Sequence, residues 1–400
     1  GDLGQLVDLS KFEGVAERLQ IIYLNSFQIS SEEFKHAASY ALGRASVGSM
    51  QFFLPAILGA LEDKSQKDQY LLLSALRELI HCHQLGGGSD IAASIPLILP
   101  HLITHCGDKE EGVRTMVAEC LGSLVCLQPD VVLPSLQDLV SNNINKSKGS
   151  EEKNDNVDGF SHDALICWTV ANSIKFAIAG RANTEKLSPF MPKFLELLKE
   201  DNLNVKNSAL LMVYSAVHHT PQLLAGLMQE LISPCLYELA QMNLQRVVDM
   251  GPFKHKVDDA LPLRKSALSI FATSLEKCSA SLDIPAFMPI LAKALDDVED
   301  IQLQAHQIII SMCSRHPLFL VTAVESFVDP LEKTVNKKTG QKSGTELERA
   351  NEWIKSGLRV IVALSHVDGI TNRRKFTDFI ERINRIARFK SMLDTLDEEV

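Results

Sequence analysis

Apolar residues recur at helical spacing along most of the chain, and the pattern comes in pairs. Four stretches show it: "FLPAILGALEDKSQKDQYLLLSALRELI" from Phe53, "LILPHLITHCGDKEEGVRTMVAECLGSLV" from Leu97, "MPKFLELLKEDNLNVKNSALLMVYSAV" from Met191 and "FMPILAKALDDVEDIQLQAHQIIISMC" from Phe287. Each has an early proline in a first apolar helix, a polar or acidic turn, and a second apolar helix with a small residue inside it. Positions i, i+4 and i+7 share one helix face, and the second helices align on such a triplet. Phe34, Ala38 and Ala41 form one; Val205, Ala209 and Met212, Leu263, Ala267 and Ile270, Ile301, Ala305 and Ile308, and Ile354, Leu358 and Ile361 form others. Leu71 and Ala75 fit with Leu79 standing in for Glu78, while Val113, Val117 and Cys120, and Leu165, Thr169 and Asn172, fit more loosely. An alanine in the triplet lets the facing helix come close. The anchors fall at 34, 71, 113, 165, 205, 263, 301 and 354, and the shorter steps match the HEAT/armadillo period of roughly 40–47 residues.

The longer steps mark insertions. Residues 141–160, "SNNINKSKGSEEKNDNVDGF", and 336–345, "NKKTGQKSGT", are polar and predict mobile loops. The insertion at 244–260 differs in kind. "RVVDMGPFKHKVDD", Arg246 to Asp259, carries a β-branched pair, a Gly-Pro turn signal and a second alternating run, which predicts a β-hairpin. Val247 and Asp249 are expected to point one way, with Arg246, Val248 and Met250 the other; Phe253, His255 and Val257 alternate with Lys254, Lys256 and Asp258. A two-stranded hairpin is marginal in water, so one apolar face is expected to lie on the adjoining helices. Residues 372–397 read as a single capping helix with Phe376, Phe379, Ile380, Ile383 and Ile386 on one face and arginines on the other; a basic membrane-surface helix is the alternative. The expected fold is all-α: one HEAT-repeat α-solenoid (superhelix) over residues 1–400 with a β-hairpin insertion, built of about eight helix pairs and offering a long concave surface.

Composition fits helix layers. Hydrophobic residues make up 46% and aromatics 6%, so Leu, Ile, Ala and Val do the packing. The net charge of −10 argues against a nucleic-acid role, which needs a concentrated basic surface. The cysteines at 82, 106, 120, 126, 167, 235, 278 and 313 form no CxxC pair and read as buried thiols of an intracellular protein. Apolar runs such as Ile95 to Leu99 fall far short of the roughly 20 residues of a membrane span. The chain opens on Gly1 without an initiator Met or a signal peptide, which reads as a piece of a longer polypeptide.

Catalytic and cofactor motifs are not found in the sequence. "LGGGSD" at Leu85 lacks the lysine and hydroxyl residue of a phosphate loop and reads as a turn. His81, Cys82 and His83 are consecutive, so they point different ways from a helix; His101, His105 and Cys106 meet a similar objection, although His101 and His105 share a face. Glu110–Glu111 and Asp296–Asp297 fall in turns, where carboxylates cap helices or stay solvated. No catalytic residue, metal site or cofactor is expected, and the chain reads as a non-enzyme.

"RVVDMGPFKHKVDDALPLRKSAL" resembles the C-terminal part of the cullin-associated, neddylation-dissociated protein family, also called the TATA-binding-protein-interacting family. The matching residues are Asp249, Met250, Gly251, Pro252, Phe253, Lys254, His255, Val257, Asp258, Asp259, Leu263, Arg264 and Lys265. "QYLLLSALRELI", "EEGVRTMVAECLGSL" and "DNLNVKNSALLMVYSAVHHTPQLL" match as well, so the resemblance runs from about Gln69 to the C-terminus. It implies a protein of cytoplasm and nucleus whose C-terminal region binds the N-terminal domain of a cullin scaffold that carries a RING partner. This region competes with the adaptor and substrate-receptor module and promotes its exchange. The hairpin residues Val248, Asp249, Met250, Gly251, Pro252, Phe253, Lys254, His255 and Lys256 would enter the adaptor site, and the N-terminal part of the same protein is a further expected partner. Neither nucleic acid nor membrane is implied. Alternatives are a HEAT scaffold of another type, as in transport receptors or phosphatases, and a transcription regulator that binds the TATA-binding protein.

Overall fold

Each apolar run becomes a helix whose buried stripe meets the helix before it and the helix after it. The computed structural model describes residues 1–62, 68–86, 91–144, 161–250, 253–337 and 344–397. The 145–160 part of the first expected loop and the 338–343 part of the second lie outside the described residues, whereas residues 141–144 still belong to the helix Pro129–Ile144.

The chain divides into two units, Gly1–Leu224 and Ala225–Val400. The boundary falls where regular hydrogen bonding lapses: a 3-10 turn at Pro221–Leu224 gives way to a π-helical turn at Met228–Ile232. In the first unit the helices Glu32–Gly48, Gln69–Gln84, Glu111–Leu127, His162–Ala179 and Leu203–His219 pack successively side by side, and first helices such as Met50–Glu62 and Pro129–Ile144 back them. The second unit stacks Leu261–Lys277, Glu299–Arg315 and Thr345–Ser365 in the same way, with Ile284–Ala294 and Pro317–Val335 behind.

The triplets lie at the centre of these contacts. Val205, Ala209, Met212, Leu263, Ala267, Ile270, Ile301, Ala305 and Ile308 are all buried. The looser triplets are buried too, because their polar members are satisfied: Thr169 Oγ1 donates to the Cys106 carbonyl at 2.7 Å, and Asn172 Nδ2 to Ser208 Oγ at 3.2 Å. The first triplet holds only at its centre. Ala38 is buried, but Phe34 is exposed and Ala41 half-buried, and the helix Glu32–Gly48 buries Leu42 and Ala45 beside Ala38. Close approach of second helices also uses glycine. A Cβ at Gly122 would stand 2.7 Å from Phe176 Cβ and 2.8 Å from the Ser173 carbonyl.

A polar stitch recurs one residue after the anchor. Arg114 Nη1 donates to the carbonyls of Asp108 and Lys109 at 2.8 and 2.9 Å, Arg264 Nη1 to Met242 at 2.7 Å, and Gln302 Nε2 to Asp297 at 2.8 Å. Each ties a second helix to the chain that leads into it and satisfies carbonyls of a half-buried or exposed turn. Gln302 Oε1 also accepts from Thr334 and Trp353.

The expected single C-terminal helix is two, Arg374–Asn384 and Ala387–Asp397. The first buries Phe376, Phe379 and Ile383 and packs on Pro317–Val335; the second buries Phe389, Leu393 and Leu396 and packs on Thr345–Ser365. One straight helix cannot reach both supports, so the chain breaks at Ile386, which is exposed. Arg382 makes a two-pronged contact with Glu332 at 2.9 and 3.0 Å, and Lys375 meets Asp329 at 2.8 Å, so part of the basic row is spent on the neighbouring helix. Among the described residues no helix is long and apolar enough to cross a membrane.

Replacing Leu71, Val205 or Ile301 by Asp should cost at least about 3 kcal/mol in denaturant unfolding, because a buried charge without a partner is poorly tolerated. A second expectation concerns pH. His306 is fully buried, its Nδ1 is 3.0 Å from Ser356 Oγ, and burial pulls its pKa down to about 4. The unfolded chain therefore takes up this proton first, near pH 6.5, and stability should fall as pH drops from there to about 4, by on the order of 3 kcal/mol. His306→Gln should flatten that part of the stability–pH curve, read by chemical denaturation at several pH values.

Candidate partner-binding hairpin

The hairpin forms where alternation replaces helical periodicity. Strand β1, Gln245–Met250, pairs antiparallel with β2, Phe253–Asp258. The register is Gln245↔Asp258, Arg246↔Val257, Val247↔Lys256, Val248↔His255, Asp249↔Lys254 and Met250↔Phe253. One face thus carries Arg246, Val248, His255 and Val257, and the other Gln245, Val247, Lys254, Lys256 and Asp258. Gly251 and Pro252 lie outside the described residues, as do the side chains of Asp249, Met250 and Phe253. Of the sequence-predicted site residues, Val248 is half-buried and Lys254, His255 and Lys256 are exposed.

Of the face expected to rest on neighbouring helices, Val248 is half-buried, and the side chains of Met250 and Phe253 lie outside the described residues. Val247 is 58% exposed on one face and Val257 37% exposed on the other. The hairpin is secured at its base. Arg264, at the start of the helix Leu261–Lys277, is buried, with Nη1 2.7 Å from Asp258 Oδ2 and Nε 2.9 Å from Asp297 Oδ2. Asp258 Oδ1 accepts from the backbone N–H groups of Leu244 at 3.2 Å and Ala260 at 3.1 Å, and the Asp259 N–H donates to the Leu244 carbonyl at 3.2 Å. Arg246 Nε meets Asp259 Oδ2 at 2.5 Å. Burial pushes the Asp258 carboxyl pKa up, but the guanidinium and the two N–H groups outweigh it and hold the pKa below its ordinary value.

The helix that carries the clamp is itself packed by aromatic rings. Phe271, on the same helix as Arg264, stacks between Tyr237 and Phe287, with ring centroids 5.6 and 4.2 Å away. The sequence quotes Asp258, Asp259 and Arg264 only as parts of a resemblance. Their structural work was missed, though an arginine directly after the anchor Leu263, on an otherwise apolar face, is a signal that could have found it.

The other candidate chemistry does not assemble. His83 Nδ1 is 2.8 Å from the Leu79 carbonyl of its own helix, and Cys82 Sγ is 3.6 Å from Glu78 Oε1. His101 and His105 turn to Glu62 at 3.9 Å and Asp108 at 3.8 Å. Cys106 is buried and its thiol pKa is pushed up to about 12 by burial. Asp296 pairs with Lys333 and Asp297 with Arg264. Among the described residues no group of three His, Cys, Asp or Glu could hold a metal ion.

Paired helices stitched through their turns define a HEAT-repeat protein, and residues 98–125 match the HEAT repeat model. The fold is similar to that of yeast importin-beta, with a TM-score of 0.61 at 12% identity over 96% of this chain and 47% of that one. Residues 220–384, which include the hairpin and its clamp, match the family described as TATA-binding protein interacting (TIP20). A cullin-associated NEDD8-dissociated protein 1 from Arabidopsis thaliana is 33% identical over all of this chain and 31% of its own length. A relative from Emericella nidulans named as the C-terminal part of that protein is 27% identical over 94% of this chain and 35% of its own length. The chain belongs to this family of cullin-associated NEDD8-dissociated proteins and spans about a third of the length of the curated relatives it matches.

Replacing Arg264 by Ala leaves Asp258 and Asp297 without their shared cation. It should destabilise the protein by about 3 kcal/mol or more, the usual cost of breaking a buried pair, and denaturant unfolding followed by circular dichroism measures this. Asp258 adds a pH limit. Its contribution is complete above the ordinary carboxylate pKa of about 3.9 and is lost as pH falls through its lower folded value, a loss that Asp258→Asn should remove.

Proposed function

We propose that this chain is a non-enzymatic, cullin-binding module that regulates cullin–RING ubiquitin ligases in cytoplasm and nucleus. Its hairpin enters the site on the cullin N-terminal domain that adaptors occupy, and so promotes exchange of the adaptor and substrate-receptor module. The observation that carries the reading is the hairpin itself, exposed at Val247, Lys254, His255 and Lys256 yet clamped at its base by buried Arg264. A brace between repeats would bury both faces of its strands; here Val247 is 58% exposed. A wedge needs this combination, since a pre-ordered element loses little entropy when it binds. The relatives' printed names, which associate them with cullins, support the choice of partner.

A second reading rests on the matched family's description, which names the TATA-binding protein. A pull-down from cell extract with this chain as bait separates the two: cullin with its RING partner supports the first, and TATA-binding protein without cullin supports the second. The hairpin's role is tested by deleting residues 248–256 and joining the ends with a short Gly-Ser link. Affinity for an isolated cullin N-terminal domain should change little, while adaptor release from a preformed cullin complex should slow by about tenfold or more. Release at the original rate from a folded deletion variant would show that the hairpin takes no part in exchange.

A further inference from the structure

We infer that strand β2 recognises an acidic protein surface through Lys254 and Lys256; the inference rests on the cullin-wedge reading and names the chemistry of the surface that the wedge meets. The register places both lysines on one face of the hairpin, about 7 Å apart along the strand at the usual rise per residue. Both are exposed. The other cations of this region are spent at the base, Arg246 on Asp259 and Arg264 on Asp258 and Asp297. Among the described residues neither Lys254 nor Lys256 has an ion-pair partner, and Val247 lies across from Lys256 with most of its surface bare. The outer part of this face thus carries two lysines and an apolar side chain against one carboxylate, Asp249, in register with Lys254, on a chain whose net charge is −10. A protein surface bearing carboxylates next to an apolar patch complements it. Nucleic acid does not, since two lysines on an acidic chain neutralise too few phosphates.

Lysines on an exposed strand also discourage edge-to-edge aggregation. Glutamate keeps these positions charged, and amide exchange of the strands reports whether the hairpin stays ordered when Lys254→Glu sets a like charge opposite Asp249, so charge reversal separates recognition from edge protection. The test is Lys254→Glu with Lys256→Glu in the 400-residue chain, with the cullin N-terminal domain as probe. The expected result is an association rate lowered by about tenfold at low ionic strength, with the difference shrinking as salt is added, and adaptor release slowed as in the hairpin deletion. An unchanged association rate with unchanged salt dependence overturns the inference. So does binding to a duplex DNA oligonucleotide that charge reversal abolishes while cullin association stays the same, which would mean phosphate recognition. If deletion slows adaptor release and reversal does not, only this inference fails; if neither slows it, the wedge reading fails too.

Discussion

Arg264 holds together what is unusual in this molecule. A lone two-stranded sheet is marginal in water, and a guanidinium taken out of water is costly unless its charge is met. The two problems solve each other. Asp258, at the foot of β2, and Asp297, in the turn before the next second helix, close around one buried cation. The same Arg264 caps the Met242 carbonyl just before β1, so both ends of the hairpin meet at one side chain. The strands can then carry exposed valines and lysines, because their order does not depend on covering them.

Elsewhere the chain relies on ordinary means. Apolar triplets fill the space between second helices, and buried polar groups are satisfied locally, as Thr169 and Asn172 are. Arg114 and Gln302 occupy the place that Arg264 has in its own repeat, but they bond to turns rather than to an insertion. The hairpin is thus grafted onto an existing stitch: a position that usually ties a helix to its own turn has been extended to hold a sheet.

Helix period, repeat length and the strand alternation around Gly251-Pro252 were all legible in the sequence, because each is a local pattern of apolar and polar residues. What was not legible depends on distance. Phe34 has the right spacing for an anchor, yet the first repeat keeps only Ala38 of that triplet buried and adds Leu42 and Ala45. The C-terminal run keeps helical period through Ile386, but two different supports force it to break there. The hairpin's alternation predicts its register, whereas its exposure follows from an arginine a few residues on and an aspartate in the next turn. No window of sequence reveals that these meet.

The central claim is that the hairpin is ordered from its base. Amide hydrogen exchange tests it most directly, by comparing the strands Gln245–Met250 and Phe253–Asp258 in the native protein and in an Arg264→Met variant that keeps side-chain bulk without charge. The strand amides should be protected in the native protein and should lose that protection in the variant, while the helix Glu299–Arg315 keeps its own. Strand amides that exchange freely in the native protein, or that stay protected without Arg264, would contradict it.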